Sequence, residues 1–312
     1  MSRQSQNWDG VLGIWKPAGW TSHDVVAKVR RLLGVRRIGH TGTLDPAVTG
    51  VLPLCIGRAT RFVEFLQEMP KSYEAVMRFG IATDTEDGSG NIIAEADASH
   101  LTENQMKETL QSFVGEIEQV PPMVSAVKVK GKRLYEYARE GITIERKPRL
   151  VTIHALEMLE IRAGIPRPEI RFAVRCSKGT YIRTLCSDIG QKLGVPAVMM
   201  SLVRTESAGL RQSDCVRIDE IPGLAASGDL REKLVRADLL LKHLPRVSVS
   251  PAEAVAAAQG KPLPARRMTP VPDAPGTWLV DCIDGRFVGI YSLQEGAGML
   301  RPVKVFATTD GE

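Results

Sequence analysis

The sequence predicts an α+β fold: a mixed, mostly antiparallel central sheet with flanking helices, followed by a small β-rich C-terminal domain. Three observations carry this expectation. Segments of helical and strand periodicity alternate without a regular strand–helix–strand repeat. Glu169 to Cys176 alternates cleanly, with Ile170, Phe172, Val174 and Cys176 on one side and Arg171, Ala173 and Arg175 on the other. Past Pro245 the composition changes: six prolines fall between Pro251 and Pro275, and short apolar runs follow.

Taken in order, Val11–Trp15 reads as a buried strand, and Lys16-Pro-Ala-Gly19 turns the chain. Ser22 is the expected N-cap of a helix running to about Leu33, with Val25, Val29, Leu32 and Leu33 on its apolar face and Gly34 at its C-terminus. A loop rich in Gly and Thr spans Gly39 to Gly50, and Val51–Ile56 is a short apolar strand. A helix is expected from Ala59 to Met69, then a strand from Tyr73 to Ile81. Thr102-Glu-Asn-Gln105 is a capping box that opens a helix to about Val114. Met123–Val129 and Pro148–Arg162 read as strands, with a short helix from Lys132 to Glu140 between them. Thr180–Leu193 reads as a helix closed by Gly194. The last strands fall at Trp278–Cys282, Phe287–Leu293 and Leu300–Val305. The implied organisation is a polar, disordered tail over 1–9, a main domain over 10–240 and a small β-rich domain over 245–308.

With 312 residues, 43% of them hydrophobic and 25% charged, the chain has enough apolar material for about two ordinary domains. Five cysteines without a Cys-x-x-Cys pair argue against a disulfide framework and a structural zinc site. The five histidines show no ligand spacing. Residues 1–9 have no apolar core of a signal peptide, and no apolar run approaches the roughly 18 residues of a membrane span. The expectation is a cytoplasmic protein that does not enter membranes. A net charge of +5 fits either an ordinary solvated surface or a polyanionic partner, so the placement of the charge decides.

The segment Gly39-His-Thr-Gly-Thr-Leu-Asp-Pro-Ala-Val-Thr-Gly50 is the most informative. Pro46 pushes Asp45 out of the helical region, so the carboxylate stands on a stiffened loop. The same residues also fit an Asx-type turn. No Lys follows Gly50, which excludes a phosphate-binding P-loop. A second candidate, Cys176-Ser-Lys-Gly-Thr-Tyr-Ile-Arg-Thr-Leu185, joins a strand end to a helix start. A third, Lys71-Ser-Tyr-Glu74, puts Tyr73 at a strand start, where an aromatic also serves as plain core.

Together these segments resemble the TruB family of pseudouridine synthases. The match runs through Lys16-Pro17 with Ser22, Gly39–Gly50, Leu52-Pro53, Gly57-x-Ala-Thr60, Lys71-x-Tyr73 and Thr83-Asp-Thr85. It continues through Pro121-Pro-Met-Val-Ser-Ala126, Gly131–Gly141, Cys176–Arg183 and Leu202-x-Arg-Thr205, in the family's order over residues 10 to 210. The resemblance implies a pseudouridine-synthase sheet, isomerisation of uridine 55 in the T arm of tRNA, and no metal, nucleotide or organic cofactor. It implies Asp45 as the catalytic aspartate, Tyr73 as the tyrosine that stacks on the target base, and Arg183 as the arginine that pairs with the aspartate. His40, Tyr181 and Leu202 match positions lining the nucleotide pocket, and Lys16 is assigned to substrate binding with them. It also implies a PUA-like RNA-binding C-terminal domain, and a monomer with no obligatory protein partner.

The chemistry agrees with that assignment. The N1–C1′ bond must break and C5 must join C1′, and a carboxylate can attack C1′ or stabilise positive charge there. The base must leave its stack, at a cost that aromatic side chains offset. Two basic clusters are candidates for the RNA track: Lys28, Arg30, Arg31, Arg36 and Arg37, then Lys128, Lys130, Lys132 and Arg133. Three other readings remain at this level: a guide-dependent ribosomal RNA synthase of the same superfamily, an RNA-binding or tRNA-folding factor without chemistry, and a carboxylate-dependent glycosidic hydrolase. The last needs a second carboxylate, for which Asp84 and Glu86 are the candidates.

Overall fold

The computed structural model describes residues 8–306 except Ala126 and Lys130. The main sheet has 11 strands. Its principal members are β1 (Gly10–Lys16), β2 (Thr49–Ile56), β3 (Lys71–Phe79), β4 (Gly115–Gln119), β5 (Arg149–Arg162), β6 (Glu169–Cys176), β7 (Ala197–Ser207) and β8 (Cys215–Val216). Their order across the sheet is β8-β1-β2-β7-β3-β6-β5-β4. β1 runs parallel to β8 and β7 parallel to β2; the other pairs along this path are antiparallel. The mixed, mostly antiparallel sheet expected from the sequence is therefore present.

Burial follows the side-chain pattern. β6 buries Ile170, Phe172, Val174 and Cys176, the face that alternation assigned to the core. β1 and β2 are continuous apolar runs because both sides are covered, and Leu12, Ile14, Leu52, Leu54 and Ile56 are fully buried. Each such side chain contributes about 1.5–3 kcal/mol by leaving water.

Helix α1 (Ser22–Leu33) packs Val25, Val26 and Val29 onto β1 and β2. Its N-cap is Thr21, not Ser22, and Thr21 forms a reciprocal capping box with Asp24. Ser22 is unavailable for the cap because its hydroxyl accepts the Leu44 N–H at 2.9 Å. Gly34 ends the helix in the left-handed conformation at φ 65°, as expected. The segment expected as one helix from Ala59 opens as a 3-10 turn over Gly57–Phe62 before α2 (Val63–Glu68). α3 (Glu103–Gln111) carries the Thr102–Gln105 capping box. Met123–Val129 is not a strand along its length; only Lys128–Val129 pairs, with Lys132–Arg133. Pro121 and Pro122 open the segment without N–H donors, and the carbonyls of Val124 and Ser125 bond to Arg183 and Tyr135. The short helix α4 (Leu134–Arg139) follows, and α5 (Ile182–Lys192) packs against β7.

After residue 245 a five-stranded sheet forms from Arg246–Val249, Gly276–Cys282, Phe287–Leu293, Met299–Val305 and Leu263–Pro264, in that spatial order. The three strands read from the sequence are among these. The helix Pro251–Ala258, which the Ala-rich sequence did not reveal, also packs here. Trp278, Val280, Tyr291 and Leu300 build this sheet's own core. Leu279 and Ile290 point the other way, into a cluster with Val11, Val51, Leu66 and Leu240 of the main body. The Phe62 and Phe306 rings stack across the junction at 4.0 Å. Of the expected N-terminal tail, residues 1–7 lie outside the described residues, as do 307–308 of the small domain. Trp8 and Asp9 belong to the fold. Trp8 is buried, and Asp9 accepts hydrogen bonds from Arg58 and from the Ala59 N–H.

One lateral row crosses the middle of the sheet. Lys16 on β1 pairs with Gly50 on β2, Gly50 with Arg204 on β7, and Arg204 with Tyr73 on β3. Gly50 adopts φ 117°, and a Cβ there would lie 2.2 Å from the Arg204 carbonyl oxygen. A Gly50→Ala protein should therefore lose about 2–4 kcal/mol of unfolding free energy in urea titration. An unchanged urea midpoint would mean that the β2–β7 contact yields at no cost.

Candidate active site

The loop between α1 and β2 carries Asp45 and is fixed almost entirely by side chains from beneath it. Lys16 Nζ donates to the carbonyls of Pro17, Pro46 and Val48 at 3.0, 3.1 and 2.7 Å. Arg204 Nε donates to the Val51 carbonyl at 2.7 Å, and its Nη1 and Nη2 to the carbonyls of Thr43 and Gly42 at 3.3 and 3.1 Å. From the α1 side, Ser22 holds Leu44, and the Gly19 N–H reaches the Pro46 carbonyl. Val48 N–H closes a turn onto the Asp45 carbonyl at 3.1 Å. The Asp45 side chain, 45% exposed, stands above this anchored backbone.

Arg183 Nη2 lies 3.0 Å from Asp45 Oδ2 and is itself only 5% exposed. It starts on the first turn of α5, and its guanidinium also donates to the carbonyls of Thr85 at 3.1 Å and Val124 at 2.9 Å. Asp87 is 3.9 Å away on the far side. The ion pair is thus oriented by three separate chain segments. A planar guanidinium suits that arrangement, because its donors project in fixed directions.

Asp45 and Arg183 open onto a cavity of about 370 Å³, of a size that takes a small ligand. Tyr73, Tyr181 and Leu202 line it, with Lys71, Lys178 and Arg204. Tyr73 comes from β3, Leu202 from β7, and Tyr181 from the N-cap position of α5. The Tyr181 backbone is clamped by Gln119, whose side chain accepts from the Tyr181 N–H at 2.7 Å and donates to its carbonyl at 3.0 Å. Burial raises the pKa of both phenols, so they stay neutral flat surfaces at physiological pH.

Two residues expected in the pocket stand elsewhere. Lys16 is completely buried behind the Asp45 loop and spends its three donors on backbone carbonyls, which ties the loop to β1. His40 faces the adjoining groove with His23, Val26, Arg30 and Gln67, its ring 5.9 Å from that of His23. Burial, then the neighbouring His23 and Arg204, lower the His40 pKa. Conversely, sequence reasoning gave no role to Lys71 or Arg204, although both stood inside quoted motifs. Lys71 is buried, with its ammonium on the carbonyls of Gln67 and Met69 at 2.9 and 3.0 Å. The available signal was a charged residue flanked by apolar strand positions, as in Leu202-Val-Arg204.

With this geometry in place, the comparisons with known proteins are informative. The model of the TruB family pseudouridylate synthase N-terminal domain matches residues 30–182, and that of the tRNA pseudouridylate synthase B C-terminal domain matches 183–254. The chain belongs to the TruB family. It is 45% identical over 302 residues to a tRNA pseudouridine synthase B of Geobacillus thermodenitrificans, covering 96% of this chain and 99% of that one. It is 54% identical over 242 residues to its counterpart from Symbiobacterium thermophilum, covering 78% and 79%. Among solved structures, the fold is similar to a chain of an H/ACA ribonucleoprotein bound to a substrate RNA containing 2′-deoxyuridine. There the TM-score is 0.74 at 25% identity, over 96% of this chain and 86% of that one.

Burial lowers the Lys16 pKa from 10.5 to about 8, against the opposing pull of Asp45. Between those values the unfolded chain binds a proton that native Lys16 has released, so this residue makes stability rise with pH. Comparing wild type with Lys16→Met in urea cancels contributions from other groups. From pH 8 to 9.5 the difference should move in favour of wild type by about 2 kcal/mol. A difference that stays constant with pH would remove the buried charge from this account.

Proposed function

We propose that this chain is a tRNA pseudouridine synthase that converts uridine 55 of the T arm to pseudouridine, with Asp45 as its essential carboxylate. The observation that carries the reading is an aspartate 3.0 Å from a buried arginine, opening onto a cavity walled by two tyrosines and a leucine, in a chain of the TruB family. A uridine turned out of the T loop enters the cavity and stacks on Tyr73, with Tyr181 and Leu202 against its other surfaces. Base flipping costs a few kcal/mol, and aromatic stacking returns about 1–3 kcal/mol per contact. Asp45 then faces C1′, where it attacks or stabilises positive charge as the N1–C1′ bond breaks. In the alternative glycal route it serves loss of the 2′ proton. The freed uracil turns over and C5 bonds to C1′, releasing the Asp45 carboxylate where it had attacked or taking the 2′ proton back in the glycal route, and the C5 hydrogen leaves as a proton while N1 gains one. Arg183 holds the carboxylate oriented throughout. Every step runs on side chains alone, so the reading includes no metal or organic cofactor.

The exposed arginines of α1 and the turn after it, Arg30, Arg31, Arg36 and Arg37, supply phosphate contacts, with Arg37 at the far end of β2, where its carbonyl accepts from the Gly57 N–H. In the second basic cluster Lys128 is exposed, Lys132 is already paired with Glu140 at 2.5 Å, and Lys130 lies outside the described residues. The five-stranded C-terminal sheet is read as a PUA-like RNA-binding unit over residues 245–308. The chain works as a monomer without an obligatory protein partner, in the reducing cytoplasm, where five free thiols are at home.

The test is tritium release from a T-arm stem–loop carrying 5-tritiated uridine, with the purified chain and no other component. Wild type should release the label, and Asp45→Asn should release none while binding the RNA with similar affinity. Absence of release by wild type would point to a guide-dependent enzyme, and free uracil among the products to a hydrolase.

Binding should weaken as salt rises, because each phosphate contact releases counterions. Replacing Arg36 and Arg37 with alanine should lower the slope of log affinity against log salt by about 1–2. An unchanged slope would place the RNA on another face.

A further inference from the structure

The cavity floor holds cations whose hydrogen bonds go to carbonyls instead of carboxylates. Arg204 is the largest of them. It is completely buried, and its guanidinium bonds run to Val51, Thr43 and Gly42. A buried guanidinium without a carboxylate partner is costly, since carbonyl dipoles replace its hydration only in part. Burial accordingly lowers its pKa, yet an arginine stays charged. A structural strut at this point could have been a neutral side chain, so the retained charge calls for a use.

The register supplies one. Arg204 lies between Gly50 on β2 and Tyr73 on β3, and directly opposed residues of adjacent strands project to the same face. From there its side chain reaches back under the loop that presents Asp45. One residue therefore ties the strand position of Tyr73 to the backbone of the Asp45 loop. We propose that Arg204 is a positioning residue for the reaction, joining the stacking tyrosine to the loop that presents the catalytic carboxylate. The inference rests on the tRNA pseudouridine synthase reading above. Other charged groups around Asp45 are Arg183 from α5, with Asp87 behind it, Lys16 from β1 and Lys71 from β3. Arg204 differs from Arg183 in touching the loop backbone instead of the carboxylate.

Steady-state tritium release, at saturating and limiting T-arm RNA, tests this on wild type, Arg204→Lys and Arg204→Gln. Arg204→Lys keeps the charge and loses the planar fork, so kcat should fall about 10-fold, with KM within about twofold. Arg204→Gln loses both, so kcat should fall about 100-fold, again with little change in KM. Wild-type kcat in either variant, or a loss confined to KM, overturns the proposal. If circular dichroism shows Arg204→Gln unfolded, Arg204→Lys decides alone: a fall in kcat at constant KM upholds the positioning role, and wild-type kcat or a KM defect rejects it. Failure of wild type on the same RNA would remove the functional reading itself, whereas active wild type with unaffected variants would remove only the role of Arg204.

Discussion

A loop without regular structure has to hold Asp45 still, and it is held by two buried cations that hydrogen bond to its backbone. Lys16 takes the carbonyls of Pro17, Pro46 and Val48, and Arg204 those of Gly42, Thr43 and Val51. Carbonyl oxygens satisfy these donors without bringing further carboxylates to the loop. Arg183 is likewise fixed by two carbonyls, and its carboxylate neighbours are Asp45 at 3.0 Å and Asp87 at 3.9 Å.

The strand register makes this arrangement possible. The start of β2 lies beside the C-terminal end of β7, with Thr49 opposite Val203 and Gly50 opposite Arg204, and the C-terminal end of β6 lies beside the start of β3, with Cys176 opposite Lys71. Asp45 precedes β2 and Arg183 follows β6. Residues far apart in sequence thus reach the same end of the sheet, and the Lys16–Gly50–Arg204–Tyr73 row passes beneath them. Gly50 is the geometric hinge of that row, since any side chain there would strike the Arg204 backbone.

Most of the fold was legible because its strands obey simple periods. β6 and β3 alternate, and β1 and β2 are continuous apolar runs bounded by turns. Of the principal strands, β4, β8 and β7 escaped notice, and β7 carries Leu202 and Arg204. Register shifts at Met199/Ser201 and Arg204/Glu206 break its alternation, so buried and half-exposed positions follow no two-residue period. Ser22 was misassigned as a cap for a related reason: Ser and Thr are interchangeable at that position until the tertiary partner, Leu44, is known. At the site, Asp45, Tyr73, Tyr181, Leu202 and Arg183 were recognisable from motif identity, and they do share one cavity. Lys16 and His40 do not line that cavity, because a motif records which residues occur together without saying which of them share a wall. A buried scaffold lysine and a pocket lysine look the same in one dimension.

The distribution of exposure across the ion pair carries a mechanistic consequence. Arg183 is 5% exposed and Asp45 45%, so the guanidinium is already desolvated while the carboxylate still meets water. On the proposed reading, a nucleotide base entering between Tyr73 and Tyr181 displaces that water from the carboxylate. The attraction between the two charges then strengthens as the local dielectric falls, and no new protein dipole has to move to offset the lost hydration, because the carbonyl-anchored cations are in place beforehand. The cost of burying Arg183, Arg204 and Lys16 is met once, on folding, by the apolar sheet around them. The guanidinium beside the carboxylate is therefore desolvated and fixed before any base arrives.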